Sequence, residues 1–261
     1  MSWIPEYTEA SAAMQEGRFD AALAAVLAAF ERMERGDCER PRMFFTMFLW
    51  SQLIEHYPPA RDAMTRTRDV QLRRVLDGDN LLPTRADQPP QTRAALVVEM
   101  NEALGDLRSS YDFFLQLRER HGAVARSIEF RAVPAALAVG DFLLAEQLVP
   151  DPLPQLACVN DTALRFPLFP PTRTAPRLGA ELSNFAGAVR QRAQALRGLG
   201  RGGEADALCR AALAGLANDE LRRLAQAELD EDGAINRAIT EHQVRLEEQE
   251  DADGTRSGTP T

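Results

Sequence analysis

The stretch EGRFDAALAAVLAAFERM, residues 16–33, decides how the rest of the chain is read. Gly17 suits the left-handed turn that ends one helix. Phe19 opens a second, in which Ala22, Val26 and Ala29 recur at three- and four-residue steps along one face. Residues 6–16 and 19–35 therefore read as an αα-hairpin whose small Ala side chains let the two helices approach closely.

The same phrase returns along the chain, which points to a repeated unit. It appears at Gly105, Leu107 and Ser110, again at Gly140, Phe142 and Ala145, and without the glycine at Glu55, Tyr57 and Ala60. A further copy at Gly200 and Ala205 has Gly202 in place of the aromatic residue. Four residues beyond each small position stands Val26, Met64, Phe114, Val149 or Cys209. The spacing between copies is irregular because of insertions. One is the turn-rich GDNLLPTRADQPP at 78–90, and another is the segment holding Pro150, Pro152, Pro154, Pro167, Pro170, Pro171 and Pro176. No continuous helix passes through that density of proline, so an irregular crossover is expected, with a short helix around 155–165. The expected organisation is N-terminal hairpins over 1–149, a Pro-rich crossover over 150–176, a last hairpin and capping helix over 177–246, and a disordered polar tail over 247–261.

Composition agrees with an all-α class. The chain has 261 residues, 45% hydrophobic and only 7% aromatic, rich in Ala and Leu and poor in strand formers. Its basic residues are all Arg, and the net charge is −9. Most of that charge lies in residues 228–261, where acids from Glu228 to Asp253 face only Arg237, Arg245 and Arg256. A nearly neutral body with an acidic end lacks the basic field that nucleic-acid binding needs. Cys38, Cys158 and Cys209 form no metal or disulfide spacing. The apolar run 21–30 is too short to span a bilayer, and the first residues lack the basic start of a signal peptide. The expectation is a cytoplasmic protein that does not bind membranes.

The turn and second helix marked by Gly17, Phe19, Ala22 and Ala29, and the phrase at Gly200, Ala205 and Ala212, resemble the tetratricopeptide repeat. The first helices lack that family's Trp and Leu. The resemblance implies an irregular right-handed α-solenoid of about five antiparallel hairpins whose concave face binds peptides or protein surfaces. The chain as a whole is also similar to bacterial helical-repeat proteins that accompany secreted toxins or secretion machinery. That likeness implies an immunity, chaperone or adaptor protein, toward which the acidic end would steer a basic partner.

Chemistry finds little support in the residues. His56, His121 and His242 are far apart with no metal-ligand spacing, no nucleophile elbow or phosphate loop is present, and neither a metal nor a cofactor is expected. The reading is of a non-enzymatic protein-binding module. Its most unusual segment is RMFFTMFLWSQLIEHY, residues 42–57, apolar almost without a break. Such a helix is normally central and buried, with an edge of Phe45, Phe48 and Trp50 left to meet a partner. Arg118, Arg131, Arg190 and Arg197 are further candidates, able to clamp carboxylates of a peptide. The alternative is an enzyme or small-ligand regulator with a site at the Pro-rich crossover near Asp161, Arg165 and Arg173.

Overall fold

The computed structural model describes residues 5–36, 43–83, 90–172 and 174–256, with side chains described through residue 248. Cys38 and Arg173, residues 84–89 of the expected loop, and residues 257–261 lie outside them. Fourteen helices and one isolated β-bridge, Leu81 to Thr92, make up the regular structure among the described residues. The protein is all-α. The chain divides into two compact units, Met1–Val139 and Gly140–Thr261, so the division falls ahead of the Pro-rich stretch rather than at residue 149.

The first unit runs α1 (Pro5–Gln15), α2 (Phe19–Arg35), α3 (Met43–His56), α4 (Pro58–Leu76), α5 (Arg93–Leu104), α6 (Leu107–Arg120), α7 (Gly122–Ser127) and α8 (Glu129–Val139). Consecutive helices from α1 to α7 pack on one another, and alternate ones do too: α1 on α3, α3 on α5, α4 on α6 and α6 on α8. Turns form at the expected glycines. Gly17 and Gly105 sit at φ 71° and 72°, the left-handed region that costs an L side chain a steric penalty. Tyr57 breaks α3 from α4, with proline at the next two positions fixing the new helix start. Asp106 caps α6 by accepting the Ser109 N–H at 3.0 Å. It is held there by Arg68 of α4, at 3.3 Å.

The second unit runs α9 (Phe142–Leu148), α10 (Gln155–Ala163), α11 (Arg177–Gly198), α12 (Gly202–Ala214), α13 (Asp219–Asp230) and α14 (Ala234–Arg256). The short helix expected around 155–165 is α10. The long α11 is the hub, with α9, α10, α12, α13 and α14 all packing on it. Its surface is cut to fit: a Cβ on Gly198 would fall inside the base of the Phe142 ring, and one on Gly179 would meet Ile239. Glu228, buried, joins α13 to α14 by accepting the N–H groups of Gly233 and Ile235, each at 2.9 Å. The last helix continues past residue 246 to Arg256, so the backbone of 247–256 is helical where an irregular tail was expected.

The seat at Gly198 gives a test of packing in this unit. An exposed Gly-to-Ala change in a helix normally stabilises by about 0.5–1 kcal/mol. Here Cγ of Phe142, the ring atom nearest its own backbone, blocks the new methyl group, and the ring has little room to swing away. Gly198→Ala is expected to destabilise by about 1–3 kcal/mol instead. Urea denaturation reads the sign, and Phe142→Ala in the same background should recover part of the loss.

The small residues that follow these turns, Ala22, Ala60, Ser110, Ala145 and Ala205, are all buried. Val26, Met64, Phe114 and Val149 follow them into the interior, and Cys209 is half-buried.

Candidate functional site

From Met43 to Trp50 every residue of α3 is apolar except Thr46, so both sides of the helix are hydrophobic and only packing decides which side meets water. Thr46, Met47, Leu49, Trp50, Leu53 and Ile54 turn inward. Phe44 is 72% exposed and Phe48 49%. Their rings lie parallel with centroids 6.2 Å apart, and Phe45 meets Phe44 edge-on at 5.5 Å. Phe45 itself is half-buried against Tyr7 of α1. Trp50 corrects the sequence reading: it is 0% exposed, its indole N–H donates to the Ala60 carbonyl at 3.0 Å, and Phe30 stands edge-on to its ring at 5.9 Å. It cannot reach a partner without unfolding.

Phe44, Phe48, Gln52 and Glu55 follow at i, i+4, i+8 and i+11, one stripe of the helix surface, and all four are exposed. On α5, which packs directly on α3, the outward stripe is Ala95, Glu99 and Glu102. Burial pushes the Glu99 carboxyl above the usual carboxylate range, against the pull of Arg131 of α8 at 3.0 Å. Desolvation also raises Glu102, against the charge of Arg131 and with that of Glu99 adding to it, although Glu102 is exposed.

Charge is divided between the helices of this unit. The helices α1, α3 and α5 carry Glu6, Glu9, Glu55, Glu99 and Glu102, and their only Arg is Arg93, which is buried. Exposed Arg35, Arg61, Arg66, Arg73, Arg108, Arg118 and Arg120 sit on α2, α4 and α6 among exposed acids such as Asp20, Glu31, Asp62, Asp69 and Glu119, with exposed Arg18 in the turn before α2 and Arg126 on α7.

The chain matches no protein-family model, no curated protein and no solved structure.

The sequence-selected arginines are not brought together. Arg118 is exposed on α6. Arg131 is engaged by Glu99 and lies over the exposed ring of Phe130, 5.4 Å from its centroid. Arg190 and Arg197 belong to the second unit, where they pair with Asp232 and with Asp206 respectively. At the crossover, Asp161 and Arg165 are exposed. Their neighbour Asn160 has a structural role, donating to the Gly215 carbonyl and accepting the Ala217 N–H. Beside it Glu181 accepts the Thr162 hydroxyl at 2.6 Å. That bond, with Arg177 and the Cys158 thiol, keeps the Glu181 carboxyl below its ordinary range.

The residues that sequence reasoning missed are Phe44, Glu99 and Glu102. Their signal was the i, i+4 pair of Phe44 and Phe48 and the absence of surface Arg from α1, α3 and α5. A cleft of about 360 Å³ lies between α2 and α4, lined by Leu27, Phe30, Glu34, Thr67, Val70 and Gln71. Beneath it Glu34 and Gln71 hold the buried Arg93. Among the described residues no helix is long and apolar enough to cross a membrane, and no three His, Cys, Asp or Glu side chains gather as metal ligands would.

Proposed function

We propose that the protein is a non-catalytic binding module whose first unit presents the joined surface of α1, α3 and α5 to a protein partner. The observation that carries this reading is the exposure of the stacked Phe44 and Phe48 on a helix whose Met47, Leu49, Trp50, Leu53 and Ile54 are buried. Leaving these rings partly in water forgoes a share of the roughly 1.5–3 kcal/mol that full burial of a Phe side chain gives, and rigid aromatic rings are the usual anchors of interfaces. The alternate packing of α1, α3, α5 and of α4, α6 fits a two-layered stack of hairpins of the solenoid kind, in which α1, α3 and α5 form one layer. Binding is then stoichiometric, with the rings filling apolar pockets of the partner.

A photoreactive amino acid at position 48 tests this in the native cell. It should give a discrete adduct that disappears when Phe44 is changed to Ser, while the same group at Arg66, on exposed α4, gives none. Helicity should be unchanged in both variants because neither position is buried. Equal adducts at 48 and 66, or none at 48, would rule the surface out.

A further inference from the structure

We infer that the partner segment seated on this face is a cationic amphipathic helix, an inference that rests on the binding surface proposed above. Three observations select it. The anchors Phe44 and Phe48 are one helical turn apart with ring centroids at 6.2 Å, a ridge that fits between the i and i+4 side chains of another helix. Among the described residues the only β pairing is the isolated bridge at Leu81 and Thr92, so α1, α3 and α5 offer no strand edge to an extended peptide. The exposed carboxylates on these helices meet no exposed Arg of the same helices, whose one Arg, Arg93, is buried. Glu55 continues the Phe44 and Phe48 stripe, Glu102 stands on α5 and Glu9 is exposed on α1, while Arg131 of α8 is paired with Glu99 and also acts on Glu102.

Phe44 and Phe48 would meet the apolar side of the incoming helix, and its Arg or Lys residues would flank that side and reach Glu55 and Glu102. Glu102 is exposed on α5, so its carboxylate is open to an arriving cation. Three adjacent helices at about 8–10 Å spacing offer a seat about 25 Å long, which a helix of about 17 residues spans.

The test uses the full chain and three synthetic 18-residue peptides, each labelled with a fluorophore: a Leu/Arg amphipathic helix, the same peptide with Glu for Arg, and a Leu/Arg scramble without amphipathic order. Fluorescence anisotropy should give binding of the first at least tenfold tighter than of either control. Raising the salt from 50 to 300 mM should weaken it by about tenfold, as screening of opposed charges requires. Phe44→Ser with Phe48→Ser should together cost about thirtyfold, the scale of a single hot spot shared by the two rings. Glu55→Gln with Glu102→Gln should cost about three- to tenfold and flatten the salt dependence. Equal binding of the acidic and cationic helices, still lost with the two Phe changes, overturns the charge inference and leaves the surface standing. Cationic binding that ignores the two Phe changes overturns both. If photo-adducts form at position 48 but none of the peptides binds, the cationic helix is wrong and the binding surface is retained.

Discussion

Replacing Trp50 with Ala is expected to destabilise the first unit by about 3–5 kcal/mol, the range for removing a fully buried large aromatic side chain. Trp50 is 0% exposed. It shares the core of the first unit with Phe30, Met33, Leu53, Met64, Leu96 and Met100, so deletion opens a cavity bounded by α2, α4 and α5 as well as by α3. It also removes the hydrogen bond from the indole to Ala60, at the point where α4 begins. Trp50→Phe keeps most of the ring volume and loses the polar contact, and should cost less than Trp50→Ala. Urea denaturation followed by circular dichroism distinguishes the two. A Trp50→Ala cost below about 1 kcal/mol, with partner binding lost, would put this residue on the interface after all.

The contrast between Trp50 and Phe44 shows where sequence ceases to be informative. Turn positions were legible because their cause is local: Gly17 and Gly105 are needed for left-handed backbone, and a small residue five positions later is needed wherever two helices close on each other. Those requirements are written in the residues themselves. The outward side of α3 is not, since a helix apolar all round carries no amphipathic signal, and the surfaces of α1, α2, α4 and α5 choose which ring is covered. The reading of Trp50 as part of an edge followed from its size and type. Its burial follows from Ala60, whose carbonyl is near enough to take the indole proton.

Arg93 was illegible for the opposite reason: an arginine at the first position of a helix reads as solvated, yet it is 1% exposed. Its Nη1 donates to Gln71 at 2.6 Å and to Glu34, a residue 59 positions away in sequence. Its Nε faces the Asp79 carboxylate at 3.4 Å. Glu34 is shared with Arg74 at 2.5 Å, so one carboxylate joins α2, α4 and the start of α5. Such a contact has no local trace in sequence.

Changing Arg93 to Met keeps much of the side-chain volume and removes the charge, which isolates the electrostatic part of the loss. The Gln71 carbonyl is then buried without its donor and Glu34 is left half-buried with Arg74 alone, for an expected cost of about 3–5 kcal/mol. Adding Glu34→Gln removes the carboxylate that Arg93 had neutralised. The double variant should therefore be more stable than the sum of the single losses implies, with a coupling of about 1–3 kcal/mol. Additive losses would mean that Arg93 acts through packing alone. The consequence for binding is specific: Arg93 anchors the first turn of α5, whose outward stripe carries Glu99 and Glu102, whereas Phe44 and Phe48 stand on α3. Weaker binding of the cationic helix with an unchanged contribution from the two Phe residues would show that this buried ion pair sets the position of the acidic stripe and leaves the aromatic anchors in place.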